Sequence, residues 1–338
     1  MNRAPLGVGI IGLGFMGRTH LAAFQAADAA GLPNRLVAVA DQDAERRAGR
    51  AGAGGNFDTG AKRELLFDAR KVRASADPRS VIEDPEVELV SICTPTSTHV
   101  ELALAALAAK KHVLVEKPIG LTASAVQRLA DAAARSERLC MPAMCMRFWP
   151  GWDWLREHIR RGTFGAVRSA VFSRLGTRPA WNPEFYSDPS RSGGALFDLH
   201  VHDADFVRWC FGEPESLAST GTRDHVTTLY RFAQGPAHVV AEGGWDHTRG
   251  FPFRMRYVVV FERATADYDF CRTPRLLLAQ DGASEAVDLP AHTGYDGEIR
   301  HLLAMIARGE RDLLATVQEA VGLTRMLEQE LGALQPRS

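Results

Sequence analysis

Residues 8–17 read Val8-Gly9-Ile10-Ile11-Gly12-Leu13-Gly14-Phe15-Met16-Gly17. A β-branched run, a G-x-G-x-x-G spacing and an Ala-rich segment over residues 18–30 predict a strand, a tight turn and a helix. Each glycine has a use in that context. Gly12 suits the sharp turn, Gly14 lets the backbone approach a pyrophosphate, and Gly17 lets the helix pack closely on the strand. The free N–H groups and the positive dipole end of the helix, with Phe15 and Met16 in its first turn, favour a bound anion. The stretch therefore predicts a dinucleotide cofactor.

The pattern repeats downstream. Residues 36–40 predict a second strand, closed by Asp41, and a polar helix is expected from Asp43. A carboxylate at the end of that strand accepts hydrogen bonds from the adenosine ribose and repels a 2′-phosphate, which favours NAD; Arg46 and Arg47 close by leave NADP possible. Asp41 is equally a residue type that begins helices. Residues 79–83 predict a short helix, 87–93 a strand, 100–110 an Ala-rich helix, 112–115 a strand, 124–135 a helix and 139–146 a last strand. Four glycines within residues 52–60 predict a loop or insertion. Strands that are almost continuously apolar and alternate with helices predict a parallel sheet covered on both faces.

Beyond Pro150 the pattern changes. After a helix at 154–161, alternating segments at 167–172, 226–232, 238–245, 255–261 and 275–279 are joined by Gly/Pro turns, the pattern of a mostly antiparallel sheet. Helices at 295–308 and 316–331 close the chain, the second opening on the Thr316–Glu319 capping box. The expected fold is α/β. Residues 1–146 form a doubly wound parallel sheet that binds a dinucleotide. Residues 147–338 form an α/β domain with a large open, mostly antiparallel sheet, and the closing helices are able to pack back on the first domain.

Composition narrows the classes of function. With 338 residues, a formal net charge of −1 and 24% charged residues, the chain has no overall field for nucleic acid or an anionic membrane. No apolar run is long enough to span a bilayer. Residues 1–7 show no secretion signal, and the five cysteines are scattered without C-x-x-C spacing. A cytoplasmic protein is expected.

Chemistry concentrates at two further places. The strand at 112–115 runs into Glu116-Lys117-Pro118, at the strand end that faces the ligand crevice of an open α/β sheet. The second place is Ser192–Phe206, SGGALFDLHVHDADF. As a strand it would align Asp198, His200 and His202 on one face, a row able to hold a metal. As a helix it would bring Asp198 and His202 together one turn apart, joined by Asp205, and turn His200 away. The helical stripe through Leu199, Phe206 and Cys210 favours the helix and dissolves the metal row, so no metal is expected. An amphipathic helix with an ordinary polar side and a proton relay both remain compatible with that geometry.

Taken in order, the glycine loop, Thr94-Pro95-Thr96-Ser97-Thr98-His99, Lys111–Pro118, Arg147-Phe148-Trp149-Pro150 and Gly193–His202 resemble the Gfo/Idh/MocA family of dinucleotide-dependent oxidoreductases over essentially the whole chain. The resemblance implies a Rossmann domain followed by an α/β domain whose open sheet pairs subunits, hence a homodimer or homotetramer. It implies that Thr94, Pro95, Thr96 and His99 lie along the cofactor toward its nicotinamide half, that Glu116 contacts the same end, and that Lys117 is catalytic and followed by a cis proline. Thr96 stands where Asn is frequent, and His200 where Gly is frequent.

The implied reaction is hydride transfer between nicotinamide and a secondary alcohol or ketone of a sugar or polyol. His202 would act as general base, Lys117 would stabilise the alkoxide-like charge, and Asp198 would orient substrate and imidazole. Arg147, Trp181, Tyr186 and His200 are candidate substrate contacts, the aromatic pair offering flat faces to a sugar ring or, equally, to a neighbouring subunit. The alternatives are a glycoside-cleaving enzyme that oxidises its substrate transiently, a non-enzymatic dinucleotide-binding regulator and, weakest, a metal-dependent hydrolase.

Overall fold

The computed structural model describes residues 4–50 and 65–334. The glycine-rich stretch at 52–60 lies outside them. The chain divides into two compact units, one made of Met1–Cys145 with Gly294–Gly322, the other of Met146–Thr293 with Leu323–Ser338.

The first unit opens with β1 (Leu6–Ile11), α1 (Phe15–Ala29), β2 (Asn34–Ala40), the single turn α2 (Ala44–Arg47), β3 (Arg73–Ser75), α3 (Arg79–Ile82) and β4 (Leu89–Ile92). It continues through α4 (His99–Ala108), β5 (His112–Glu116), α5 (Ala123–Arg135) and β6 (Cys140–Ala143). The strands form one sheet in the order β3-β2-β1-β4-β5-β6, every neighbouring pair parallel. All residues of β1, β4 and β5 are buried, as helices on both faces require. The order reverses between β1 and β4, so the ends of these strands open a crevice for a ligand.

Two local expectations changed. The polar helix after Asp41 is one turn, held by the Asp43 carboxylate accepting from the amides of Glu45 and Arg46. The last strand ends at Ala143, and Cys145–Phe148 forms a 3-10 turn instead of continuing it to Met146. Pro142 is tolerated in β6 because that strand is the sheet edge.

The second unit contains α6 (Trp152–Arg161), β7 (Val167–Leu175), the single turns α7 (Pro183–Tyr186) and α8 (Pro189–Ser192), and a π-helical turn at Leu196–His200 that runs directly into α9 (Val201–Phe211). Strands β8 (Ser216–Thr222), β9 (His225–Arg231), β10 (His238–Gly244), β11 (Arg254–Phe261), β12 (Thr265–Asp269), β13 (Leu276–Gln280) and β14 (Ala283–Ala286) follow. The sheet order is β14-β13-β12-β11-β7-β10-β9-β8, antiparallel except for β7 with β10. Both edge strands escaped the sequence reading, for the same reason. Edges bury little on either face, so β8 and β14 lack an apolar alternation. Strand β12 is alternately buried, but its two aspartates mask the pattern.

One face of this sheet is packed. Trp152 of α6 meets Phe206 of α9 edge-on at 4.8 Å and Tyr257 of β11 at 5.4 Å, all essentially excluded from solvent. The opposite face carries Val171 and Val258, paired across β7 and β11 and both exposed. Two helices close the chain. α10 (Gly294–Arg308) lies in the first unit, where it packs on α1, and α11 (Val317–Ala333) is shared by the two. The expected capping box is present, the Thr316 amide and hydroxyl both donating to Glu319 and Thr316 Oγ1 accepting from the Glu319 amide. Among the described residues no helix is long and apolar enough to cross a membrane.

Candidate active site

The glycine loop has the geometry that its spacing predicts. Gly12 sits at φ 87°, and a Cβ there would meet the Cys93 carbonyl oxygen at 2.6 Å. A Cβ on Gly17 would stand 1.8 Å from the Gly12 carbonyl oxygen, so the start of α1 rests directly on the turn. A Cβ on Gly14 would meet only Arg46 Nη1, at 4.0 Å, which leaves an open backbone cradle at the helix start, where Phe15 and Met16 are part-exposed. No side chain caps this N-terminus and no acidic residue stands in its first turn. The cradle fits a dinucleotide pyrophosphate, which needs close backbone approach at a helix start.

Asp41 stands at the end of β2, as expected. Its carboxylate accepts from the amides of Leu13, at 2.6 Å, and Asp43, at 2.8 Å, which ties the glycine loop to the second strand. Arg46 Nη1 lies 3.7 Å from the same carboxylate.

After β4, the Thr94 and Thr98 hydroxyls share a 2.6 Å hydrogen bond, Thr98 also donates to the Pro95 carbonyl, and Thr96 is buried. His99, expected along the cofactor, braces the backbone around it. It is 1% exposed, and its two ring nitrogens face the carbonyl oxygens of Pro118, at 2.9 Å, and Thr94, at 2.7 Å. Burial drives its pKa down despite these acceptors. The histidine thereby joins the loop after β4 to the peptide that follows Lys117. The Lys117–Pro118 bond is cis.

Glu116, expected at the nicotinamide end of the cofactor, is held by its neighbours. Its carboxylate turns inward, one oxygen accepting from the Lys117 amide at 3.0 Å and the other standing 2.9 Å from His20 Nε2. Glu298 of α10 approaches the same imidazole at 3.5 Å, and Ser91 Oγ lies 2.9 Å from its Nδ1. Burial would lower the His20 pKa, but Cys93 and Glu116 beside it hold it well above the ordinary imidazole range. Burial would raise Glu116, yet its bond to His20 keeps it below the usual carboxylate range. For Glu298 burial prevails, aided by the Glu116 charge, and its carboxyl stays protonated well above the usual range. An imidazolium, one carboxylate and one neutral acid thus make an electrically balanced cluster under the lysine. Sequence reasoning missed His20 and Glu298; their only signal is a polar residue among the apolar positions of a helix.

In the second unit, Gly193 at φ 77° ends α8, and Gly194 at φ 75° lies where a Cβ would meet the Arg223 carbonyl at 2.7 Å. The segment is helical, so the strand row Asp198–His200–His202 does not form. Its opening turn is π-helical, a variant that occurs often at functional sites. From Ser192 to Val207, Asp198 and His202 are the two residues that are not buried.

The other polar residues of the segment are fixed in place. Asp203 takes a bidentate pair from Arg174, and Asp205 one from Arg147 at 2.7 and 2.9 Å, all four residues no more than 3% exposed. Arg147, expected as a substrate contact, is thus a buried partner of Asp205, and Asp205 does not join Asp198 and His202. His200, the other expected substrate contact of this segment, is paired as well. Fully buried, it stands 2.9 Å from Glu330 and 3.2 Å from the Tyr230 hydroxyl, which itself donates to Glu330 at 2.6 Å. Gly243 makes room for it, since a Cβ there would be 2.6 Å from His200 Cβ.

Trp181 and Tyr186 meet edge-on at 5.6 Å, and Tyr186 meets Trp245 at the same distance. Trp245 packs with Ala195 and Leu199, so the aromatic pair is attached to the Asp198–His202 segment. Both Trp181 and Tyr186 remain part-exposed.

Comparison with known proteins agrees with this architecture. Residues 6–144 match the oxidoreductase family, NAD-binding Rossmann fold, and residues 152–267 match the Gfo/Idh/MocA C-terminal domain. Myo-inositol 2-dehydrogenase of Thermotoga maritima is 29% identical over 69% of this chain and 67% of its own length. The rhizopine catabolism protein MocA of Rhizobium meliloti is 31% identical over 70% of each chain. A levoglucosan dehydrogenase solved with NADH and levoglucosan shares the fold at a TM-score of 0.79, with 23% identity and 97% of each chain covered. With both family domains in order and the strand succession of a Rossmann sheet, the chain belongs to the Gfo/Idh/MocA oxidoreductases, an NAD-binding family whose relatives include proteins named as dehydrogenases of myo-inositol and of levoglucosan.

Proposed function

We propose that the protein is an NAD-dependent dehydrogenase that oxidises a secondary hydroxyl of a sugar, an inositol or a related polyol. The observation that carries this reading is the selective exposure of Asp198 and His202 in a segment whose other polar side chains are buried and paired. Bound nicotinamide supplies the hydride acceptor. An imidazole nitrogen of His202 takes the hydroxyl proton, since a neutral imidazole is the side chain suited to that task near pH 7. The ammonium of Lys117 donates a hydrogen bond to the same oxygen and stabilises the negative charge that develops there. Asp198 orients the imidazole and balances the lysine charge. Trp181 and Tyr186 offer part-exposed aromatic faces to the ring of the substrate.

NAD is preferred over NADP in this reading, because the Asp41 carboxylate repels a 2′-phosphate. Thr94, Pro95 and Thr96 line the nicotinamide half of the cofactor. The exposed cross-strand pair Val171 and Val258 on the large sheet supports a homodimer or homotetramer formed through that face, since apolar side chains on an open sheet face are a common subunit contact. Five free cysteines suit a reducing cytoplasm.

The test is a panel of sugars, inositols and sugar acids offered with NAD and with NADP, following the absorbance of the reduced nicotinamide. Lys117→Ala is expected to abolish turnover while NADH still binds, read by fluorescence titration. Turnover near the unsubstituted rate in that variant overturns the assignment.

A further inference from the structure

A second group of metal-ligating side chains stands apart from these residues, on the other face of the large sheet. Successive strand residues point to opposite faces. Gly243 of β10 faces His200, whereas a Cβ on the next residue, Gly244, would lie 2.7 Å from Cγ of His225. His225, at the start of β9, therefore lies on the face away from the π-helical turn. Two residues of the loop after β10, Asp246 and His247, meet it there.

We propose that His225, Asp246 and His247 bind a divalent transition ion of the zinc class. One ligand atom from each lies within 4.8 Å of the other two. His225 Nδ1 is 2.7 Å from Asp246 Oδ1, and His247 Nδ1 is 3.8 Å from the same oxygen. Tetrahedral zinc with bonds of 2.0–2.2 Å places its ligands about 3.4 Å apart. The half-exposed Asp246 carboxylate has the freedom to make that adjustment, while both imidazoles are largely covered. Two imidazoles and one carboxylate suit zinc, cobalt or nickel better than magnesium or calcium, which take oxygen ligands.

Three further features build the site. His225 Nε2 faces Glu242 Oε1 at 3.2 Å, and Glu242 is itself held by the Ser173 hydroxyl at 3.1 Å. A ligating histidine commonly donates its second N–H to such a carboxylate, which leaves the first nitrogen as the donor atom to the metal. His247 Nδ1 is buried and accepts or donates no hydrogen bond, and its ring is stacked on Phe251 at 4.0 Å, so its direction is set by packing. The loop is pinned as well. Trp245 donates from its amide to the Asp224 carbonyl and from Nε1 to the Asp224 carboxylate, and Asp246 bridges to Thr177. On binding, any proton on His225 Nδ1 leaves to solvent, and three protein ligands leave a fourth position for water.

The experiment uses full-length protein stripped with a chelator and titrated with zinc alone, by calorimetry, and with cobalt alone, by visible absorption. One ion per chain is expected, with the d–d bands of four-coordinate cobalt, and zinc is expected to raise the melting temperature. His225→Gln and His247→Gln should each weaken zinc binding by at least ~10–100-fold, and Glu242→Gln by ~10–100-fold as a support of the ligating histidine. Cys271→Ser, which removes an exposed thiol elsewhere, should bind zinc as the unsubstituted protein does. Each variant's metal-free melting temperature establishes that it is folded. Absence of saturable zinc binding overturns the proposal, as does a folded His225→Gln, His247→Gln double variant that still binds one ion with unchanged affinity.

Discussion

Glu298→Gln should make the protein more stable as pH rises. Glu298 is fully buried, 3.5 Å from His20 Nε2, and that imidazole is already paired with Glu116 at 2.9 Å. One oxygen of each carboxyl group lies within 4.8 Å of one oxygen of the other, so at an effective dielectric of about 20 their mutual repulsion is about 3.5 kcal/mol or more if both ionise. Attraction to one shared imidazolium is of similar size, leaving the desolvation of a second buried charge without compensation. Glu298 therefore keeps its proton in the native state, with its pKa held well above the usual carboxylate range.

The sign follows from proton linkage. Between its unfolded and native pKa values this carboxyl holds a proton when folded and loses it when unfolded. Native stability then falls with rising pH, by up to about 1.4 kcal/mol per unit. A glutamine of the same shape has no proton to lose. Relative to it, the unsubstituted protein should be equal near pH 4 and progressively weaker above, by about 3 °C in melting temperature per pH unit until Glu298 titrates. Thermal melts of both proteins from pH 4.5 to 8 provide the assay. A difference that does not vary with pH, or a glutamine variant that is less stable throughout, would show that Glu298 is ionised and that the balanced-cluster argument is wrong.

Three other outcomes follow from the geometry. Asp205→Ala leaves the Arg147 guanidinium buried without its bidentate partner and should cost about 3–5 kcal/mol of stability by urea denaturation. Gly17→Ala drives a methyl into the Gly12 carbonyl; it should destabilise by about 1–3 kcal/mol and weaken NADH binding measured by fluorescence. Asp41→Ser removes a carboxylate suited to ribose hydroxyls; kcat/KM for NAD relative to NADP should fall by ~10–100-fold, and an unchanged ratio would remove Asp41 from cofactor selection.

The G-x-G-x-x-G spacing could be read at once because its meaning is local. A turn at positive φ, a helix start without a cap and a close helix–strand contact are set within about ten residues. The same holds for Asp41, and for the choice of helix over strand at 192–206, which apolar periodicity decided. Edge strands β8 and β14 were hidden because residues that bury little carry little pattern.

The sequence by itself determined the strand–helix alternation of a parallel sheet, the change to an antiparallel pattern beyond residue 150 and the dinucleotide turn, and it offered Lys117, Asp198 and His202 as candidates, since these rest on periodicity and on motifs of consecutive residues. Tertiary structure alone decided which partners the buried polar side chains take. Arg147 went to Asp205, His200 to Glu330 and Tyr230, Glu116 to His20, and His99 to two backbone carbonyls. The physical reason is that a buried charge or imidazole must be paired, and its partner is chosen by the packing of elements as far apart in sequence as 130 residues, a relation that no local pattern encodes.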